Sequence, residues 1–300
     1  MCPRTISNML SRAKYPQRLR FAIVEQNASS DVPCDSPATP CNDDPLQFMC
    51  VHEKQIDIVR VPYESATGPV TARAIGSRMY AGEAFALQID SHLEFIREWD
   101  VAVLEQHSST GNLAAVLTTY LSNMNSGAVG PDGENLQHTT PVMAHSGFVS
   151  THGVDYLSHG ATGAQTDHFN SGMPFLPLLS PYWAAGWSFS PGKFVVDVPN
   201  DPYLPMVFNG EEISMGLRGW SHGYDYYSPT AVAYHFYESG ENKEMRKEVP
   251  HFWENQRAHA GSDLKSYKRL VGLLKMAPEL RPGIDYDDRE EAGHATGWGA

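Results

Sequence analysis

Short apolar runs alternate with segments of helical periodicity over the first 121 residues, and this alternation constrains the fold most. Residues 20–24 and 56–61 are rich in Val and Ile, as buried strands are. Pro69 opens a segment, to residue 80, whose apolar residues recur at helical spacing. The pattern continues as a strand at 84–89, a helix at 99–106 and a strand at 114–121. It predicts an α/β domain whose mixed, mostly parallel sheet is flanked by helices.

Length and charge limit the functional classes open to this chain. Of its 300 residues 41% are hydrophobic, enough for a sizeable core. The 35 acidic side chains outnumber the 22 basic ones, so the formal charge is −13. A net negative chain repels phosphate backbones and anionic lipids, and we therefore expect neither a nucleic acid nor a membrane as partner. No apolar stretch approaches the ~18 residues that span a bilayer.

The four cysteines all lie in the first fifty residues: Cys2, Cys34, Cys41 and Cys50. They form no CxxC pair, and a disulfide framework would spread across a secreted fold. The first residues also contain no apolar signal core. We therefore expect free thiols in a reducing compartment and a cytoplasmic location.

The second half contains a long segment without sustained periodicity. Residues 122–177 are rich in Gly, Ser, Thr and His, and we predict a loop-rich insertion or lid there, within one domain covering residues 1–276. Ser190 followed by Pro191 predicts a helix to about residue 198. Further helices are predicted at 211–220 and 264–276, one or two strands at 225–237, and a flexible tail at 277–300.

The first candidate for chemistry is Asp90-Ser91-His92, directly after the apolar run at 84–89. Ligands of α/β sheets gather beyond the carboxyl ends of strands, where both side chains could project. One oxygen and one imidazole suit Mn²⁺ or Zn²⁺ more than Ca²⁺. Polar residues at strand ends are also common without any function.

A second candidate is the pair Glu211-Glu212 after Gly210. Two carboxylates at a helix start could bind a sugar hydroxyl or act as acid and base, or could simply complement the helix dipole. His235 stands among aromatic residues, either as a ligand or as a hydrogen-bonded core residue. An aromatic set could stack on a sugar ring or fill the core; it consists of Trp183, Trp187, Phe208 and Trp220.

Five histidines recur at near-constant spacing in the loop-rich segment: His138, His145, His152, His159 and His168. They leave a zinc hydrolase open, although the chain has no HExxH and no CxxC motif. Solvated side chains are the common outcome for loop histidines. The chain also lacks a Walker loop, a GxGxxG and a GxSxG, which argues against the commonest NTPases, dinucleotide enzymes and hydrolases.

Taken in chain order, the candidate segments carry a family resemblance. Its most specific blocks are Gln-Ile-Asp-Ser-His at 88–92 and Gly-Glu-Glu-Ile-Ser at 210–214. The other segments are Gly68-Pro69 with Ala72-Arg73, Pro181 to Phe189, Phe208-Asn209, His222-Gly223 and Tyr234-His235. From about residue 18 to about residue 275 the chain resembles the GlcNAc-transferases that modify hydroxyproline in cytoplasmic proteins. More distantly it resembles the mucin-type polypeptide GalNAc-transferases.

The resemblance implies a GT-A fold, UDP-GlcNAc as donor and a divalent cation, Mn²⁺ above all. Asp90 and His92 match the metal-binding pair of that family, and His235 matches its later metal-ligand histidine. Glu211 matches the acid that holds the donor sugar, so Asp90 and Glu211 are the expected catalytic residues. The resemblance also implies donor contacts from Arg73, near a diphosphate-contacting position, and from Ala185, Gly186 and Asn209. Acceptor contacts are expected from Trp183, Trp187 and Phe208.

The activity implied by the resemblance is a metal-dependent retaining transfer of GlcNAc to a protein or peptide hydroxyl, on hydroxyproline, Ser or Thr. No second carboxylate offers a nucleophile, so we expect attack assisted by the leaving phosphate. Family members begin with a strand upstream of the cysteine that Cys2 matches, and we expect the sheet to lack that N-terminal strand. The alternative is a non-catalytic carbohydrate- or protein-binding relative with an incomplete donor site.

Overall fold

A mixed α/β architecture is formed by the residues that the computed structural model describes, which are 1–124, 127–137, 139–151, 153–167, 176–237, 252 and 261–274. The strands are β1 (Phe21–Glu25), β2 (Ile56–Arg60), β3 (Phe85–Ile89), β4 (Leu93–Phe95), β5 (Ala115–Thr118), β6 (Thr139–Thr151), β7 (Val154–Asp167), β8 (Leu178–Ser180), β9 (Trp187–Pro191), β10 (Asp225–Ser228) and β11 (Ala233–His235). The helices are α1 (Cys2–Arg12), α2 (Phe48–Val51), α3 (Pro69–Ser77), α4 (Trp99–Ser109), α5 (Phe194–Asp197), α6 (Glu211–Ser221) and α7 (Ser262–Leu273).

The central sheet has five strands in the order β3-β9-β5-β10-β8. Strands β5 and β10 are parallel, whereas β3/β9, β5/β9 and β8/β10 are antiparallel. Three two-stranded sheets accompany it, one parallel (β1/β2) and two antiparallel (β4/β11 and β6/β7). The α/β class is confirmed. Antiparallel pairings nevertheless outnumber parallel ones, because β9 runs between β3 and β5 in the opposite direction, which the local pattern does not show.

The largest apolar cluster joins α1 and α4 to the sheet strands. Leu10, Phe95, Leu117 and Trp187 are completely buried in it. Burial of each such side chain stabilises the folded state by roughly 1.5–3 kcal/mol. This packing holds β4 against the sheet, and the positions of the strand ends therefore depend on it.

Helix α1 is an element that the sequence analysis did not predict. Pro3 lies in its first turn, where the missing amide proton costs no hydrogen bond. Ile6, Met9 and Leu10 recur at helical spacing and are buried on one face. The helix therefore forms through tertiary packing on the strand that follows the Asp90 turn.

The expectation of free thiols is wrong. Disulfides join Cys2 to Cys34 and Cys41 to Cys50, and no cysteine is free. Folding brings Cys2 within 5.1 Å of Cys34, measured between Cα atoms, across 32 positions of sequence, a proximity that spacing alone does not reveal. Disulfides persist in oxidising compartments. The argument from free thiols to a reducing, cytoplasmic compartment therefore falls.

The loop-rich prediction for residues 122–177 is also wrong over much of that segment. Strands β6 and β7 form a long antiparallel hairpin, from Thr139 paired with Asp167 to Thr151 paired with Val154. Few of its described side chains are buried, among them Met143 and Tyr156. Residues 146–150 are all exposed, so this part of the hairpin lacks the alternation that identifies a half-buried strand.

Two smaller differences concern element ends. Ser190 and Pro191 complete β9 rather than starting a helix, because Ser190 pairs with Ala86 and Pro191 with Phe85 at the sheet edge. Helix α5 begins only at Phe194. The predicted end of the last helix at residue 276 and the predicted tail at 277–300 lie outside the described residues.

None of the described helices is both long enough and apolar enough to cross a membrane.

Candidate metal and donor site

The three predicted metal ligands converge at the ends of β3 and β11. Asp90 follows β3, and its backbone N–H donates to the Gly186 carbonyl at 3.0 Å. His235 ends β11, where it lies opposite Leu93 in the antiparallel pair with β4. His92 immediately precedes β4, so the pairing of these two short strands brings both imidazoles to the Asp90 turn. One ligand atom from each of the three side chains lies within 4.8 Å of the other two.

The spacing between Asp90 and His235 matches that of two ligands on one cation. Asp90 Oδ2 and His235 Nε2 are 3.2 Å apart. Two ligands at right angles, each ~2.1 Å from a metal ion, lie ~3.0 Å apart. The rings of His92 and His235 meet edge to face, with centroids 4.4 Å apart. His235 Nδ1 is buried and has no hydrogen-bond partner among the described residues, so they leave part of this ring's bonding capacity unused.

An arginine joins this cluster to the predicted donor acid. Arg73, on α3, donates from Nη2 to Asp90 Oδ1 at 2.9 Å and from Nη1 to Glu211 Oε2 at 2.5 Å. Its side chain is 17% exposed and that of Glu211 only 3%. Burial alone would lower the pKa of Arg73, but the charges of Glu211 and Asp90 outweigh it and raise the pKa. One buried cation therefore holds both carboxylates.

The pKa values of the two carboxylates bonded to Arg73 are shifted in opposite directions. Burial acts to raise the pKa of Asp90, but the His235 hydrogen bond and the Arg73 charge outweigh it and hold that pKa well below its usual range. Burial raises the pKa of Glu211 to about 7; the Arg73 charge opposes this rise, and Glu212 and Asp90 add to it. Glu211 Oε1 is buried and has no hydrogen-bond partner within the described part of the chain. It is therefore an acceptor that a sugar hydroxyl could satisfy.

Ala185 and Gly186 form the wall beside Asp90. The Ala185 N–H donates to Glu212 Oε1 at 2.9 Å, and the Ala185 carbonyl accepts from Gln88 Nε2 at 2.8 Å. A Cβ atom on Gly186 would lie 2.9 Å from Asp90 Oδ2. A larger residue at this position would therefore displace the Asp90 carboxylate.

Three further residues hold this wall through contacts that the sequence pattern does not reveal. Glu212 accepts a hydrogen bond from the Tyr120 hydroxyl as well as from Ala185, and burial raises the pKa of Glu212. Gln88 lies one strand position before Ile89 and reaches across to Ala185. Glu212 belongs to the Gly-Glu-Glu block and Gln88 to the Gln-Ile-Asp-Ser-His block, but neither block indicates the contact with Ala185, and nothing local identifies Tyr120.

The predicted acceptor residues have different outcomes. Trp183 and Trp187 are 1% and 0% exposed, and both pack in the core, so the prediction that they stack on an acceptor is wrong. Sequence alone left core and surface positions open. The core is favoured because burial removes the large apolar area of both rings from water. Phe208 is 57% exposed and remains a candidate. Asn209 is exposed directly before Gly210, the N-cap of α6, and its donor contact stays a prediction.

The five histidines of the segment predicted as loop-rich lie, in whole or by their side chains, outside the described part of the structure. His138, His152 and His168 lie outside the described residues, as do the side chains of His145 and His159. Among the described residues, the group of His, Cys, Asp and Glu side chains that could hold a metal ion is Asp90, His92 and His235. A donor set of one carboxylate and two imidazoles fits a borderline divalent cation such as Mn²⁺ or Zn²⁺.

Fold and site together define a GT-A-like α/β protein with a candidate divalent-metal centre at its strand ends. A family model described as Glycosyltransferase (GlcNAc) matches residues 1–293. The chain therefore belongs to this glycosyltransferase family.

A solved structure has a similar fold. The crystal structure of GalNAc-T7 with UDP, GalNAc and Mn²⁺ aligns with a TM-score of 0.52 and 14% sequence identity. The alignment covers 96% of this chain and 50% of that one, so the chain spans about half the length of GalNAc-T7. No match was found among curated protein sequences.

Proposed function

We propose that this protein is a metal-dependent retaining glycosyltransferase that moves GlcNAc from UDP-GlcNAc to a hydroxyl of a protein, on hydroxyproline, Ser or Thr. The observation that carries the proposal is the convergence of Asp90, His92 and His235, joined through Arg73 to the buried acid Glu211. Family membership supports glycosyl transfer. The GlcNAc donor and the hydroxyproline acceptor follow the sequence resemblance, and the GT-A-like fold supports a nucleotide-sugar donor.

Asp90, His92 and His235 would hold Mn²⁺ in this proposal. When bound there, a divalent cation supplies positive charge to the two phosphates of the leaving UDP. Asp90 is suited to this role because its depressed pKa keeps it ionised at neutral pH. Retention of configuration, which the sequence resemblance implies, is assigned in this proposal to attack assisted by the leaving phosphate.

The remaining donor residues bind and orient the sugar diphosphate. Glu211 Oε1 would accept a sugar hydroxyl, and Arg73, which lies between that acid and the metal cluster, would contact the diphosphate. Gly186 lets the backbone approach the ligands closely. Fixed geometry of this kind lowers the entropic cost of bringing the acceptor hydroxyl to the anomeric carbon. Phe208 offers an exposed apolar ring for the acceptor side.

A donor screen tests the proposal directly. UDP release is measured with UDP-GlcNAc, UDP-GalNAc and UDP-glucose, with Mn²⁺ or with EDTA, in the presence of peptides carrying hydroxyproline, Ser or Thr. We expect Mn²⁺-dependent release from UDP-GlcNAc, lost in Asp90→Ala and kept in the matched surface variant Asp43→Asn. Binding of UDP with Mn²⁺ but no turnover of any donor would instead support the non-catalytic relative.

A further inference from the structure

Helix α1 satisfies backbone groups along one edge of β4, the strand that follows the ligand turn. β4 pairs with β11, the strand that carries His235. Asn8 Oδ1 accepts the Phe95 N–H at 2.8 Å, and Arg12 Nη1 donates to the Phe95 carbonyl at 2.7 Å. Alternate residues of an antiparallel strand direct their peptide groups away from the partner strand. The polar face of α1 thus takes the place of a neighbouring strand.

Thr5 makes the contact nearest to the metal ligands. Its side chain is buried, and Oγ1 lies 2.9 Å from the Ser91 carbonyl oxygen and 3.2 Å from that of Leu93. The same oxygen accepts the Leu93 N–H at 3.2 Å. A hydroxyl has one proton to donate and lone pairs to accept with, so Thr5 bonds both residues that flank His92.

The rest of the ligand turn is held by strands. The His92 carbonyl accepts the Phe236 N–H at 3.0 Å, and the Asp90 N–H donates to Gly186. Each of residues 90–93 therefore has at least one hydrogen-bonded backbone group, and Thr5 bonds those of Ser91 and Leu93. Because the side chains of Asp90 and His92 both project from this turn, a shift of the turn moves their ligand atoms together.

The start of α1 is itself fixed. Cys2 lies one helical turn before Thr5 and is bonded to Cys34. The Cys34 N–H donates to Glu25 Oε2 at 2.6 Å, at the end of β1. A continuous series of contacts therefore runs from β1 through the disulfide and the first turn of α1 to the ligand turn.

We propose that Thr5 is a positioning residue for the metal ligands Asp90 and His92, and that the Cys2–Cys34 disulfide fixes the helix that presents it. The inference rests on the proposed function, because it takes these side chains to bind a cation. Groups that orient metal ligands typically change metal affinity by 10–100-fold when they are removed. Neither Thr5 nor α1 carries a ligand, so the effect passes through the backbone of the turn.

The test compares Thr5→Val with Thr5→Ser, since valine keeps the volume and removes the hydroxyl while serine keeps the hydroxyl. Thr110→Val is the matched control, because the Thr110 hydroxyl also bonds a backbone carbonyl, that of His107 at the end of α4. Mn²⁺ affinity is measured by calorimetry with UDP present, at a temperature where circular dichroism shows every variant folded. Thr5→Ala replaces Thr5→Val if the latter does not fold. Amide hydrogen exchange at Leu93 is followed in the metal-free proteins.

We expect Thr5→Val to weaken Mn²⁺ binding about 10-fold or more and to speed exchange at Leu93, with Thr5→Ser and Thr110→Val close to the parent protein. Parent-like affinity in Thr5→Val overturns the inference. If the parent protein binds no Mn²⁺ while exchange at Leu93 still responds to Thr5→Val, the proposed function fails and the structural contact stands.

The role of the Cys2–Cys34 disulfide is tested with a separate pair of double variants. Cys2→Ser with Cys34→Ser should weaken Mn²⁺ binding in the same direction as Thr5→Val. Cys41→Ser with Cys50→Ser removes a disulfide to which α1 contributes no residue. This double variant should keep its Mn²⁺ affinity within about twofold of the parent value. Equal Mn²⁺ affinities in the two double variants would overturn the inference that Cys2–Cys34 fixes the helix that presents Thr5.

Discussion

His235 Nε2 lies 3.2 Å from Asp90 Oδ2, although 145 positions separate the two residues in the chain. The contact exists because β4 and β11 pair, with Leu93 opposite His235. It brings an imidazole to a carboxylate that already accepts a hydrogen bond from Arg73. This relationship is the geometric basis of the proposed metal site.

The first prediction concerns His235 as a ligand. His235→Ala should weaken Mn²⁺ binding by at least about 10-fold, because it removes one of three donor side chains from the cluster. His52→Ala changes a histidine outside this cluster, so it is the control and should bind Mn²⁺ as the parent protein does. Calorimetric titration with Mn²⁺ and UDP measures both, and equal affinities would remove His235 from the site.

A second prediction uses the close approach of Gly186 to Asp90. Gly186→Ala places a Cβ atom 2.9 Å from Asp90 Oδ2, so the carboxylate must move and Mn²⁺ affinity should fall about 10-fold. Gly147→Ala is the matched control, because a Cβ atom there meets nothing within 4 Å. The free energy of unfolding from urea titration should change by less than about 2 kcal/mol in either variant. Intact Mn²⁺ binding in Gly186→Ala would contradict the predicted crowding.

The third prediction concerns Arg73. Arg73→Gln leaves Asp90 and Glu211 without their shared cation, and we expect a loss of about 3–5 kcal/mol in the free energy of unfolding. Arg78→Gln, on the exposed side just after α3, should change it by less than about 0.5 kcal/mol. Urea titration at pH 8 measures the difference, and similar stabilities for the two variants would contradict the buried pairing.

A fourth prediction is a pH dependence of stability caused by Glu211. The pKa of this acid is raised to about 7 in the folded protein from an ordinary value of 4.5. Between these values the folded state keeps a proton that the unfolded state has lost. The free energy of unfolding should therefore fall as pH rises through this window, by about 3 kcal/mol in all.

Replacing the acid tests this assignment. Urea titrations of the metal-free protein across the window should show a flatter profile for Glu211→Gln than for the parent. Glu105→Gln, an exposed acid on α4, serves as the control and should keep the parental slope. A parental slope in Glu211→Gln would assign the titration to another group.

The fifth prediction concerns the two disulfides. Peptide mapping without reduction should recover Cys2 linked to Cys34 and Cys41 linked to Cys50. Their sequence separations are 32 and 9 residues, and a disulfide that closes the longer loop restricts the unfolded chain more. Removal of Cys2–Cys34 should therefore cost more stability, about 2–4 kcal/mol, than removal of Cys41–Cys50. The reverse order would contradict this loop-length argument.

Much of the element pattern could be predicted from local sequence. β1, β2, β3 and α4 lie within a few residues of the predicted ranges, because each carries its own apolar periodicity. The hairpin of β6 and β7 could not be predicted in this way, since its strands are defined by pairing with each other and bury few side chains. Helix α1 was not predicted for a related reason, because its apolar face is buried only through packing against β4.

The sequence by itself determined the chemistry of the site: an Asp and a His directly after a strand, an acid pair at a helix start, and a histidine among aromatics. These are local facts, because a strand end or a helix start is defined by a few neighbouring residues. Only the tertiary structure decided that Arg73 joins Asp90 to Glu211, that Trp183 and Trp187 belong to the core, and that the cysteines pair. Contacts between residues far apart in the chain arise from packing and strand pairing, which no local pattern contains.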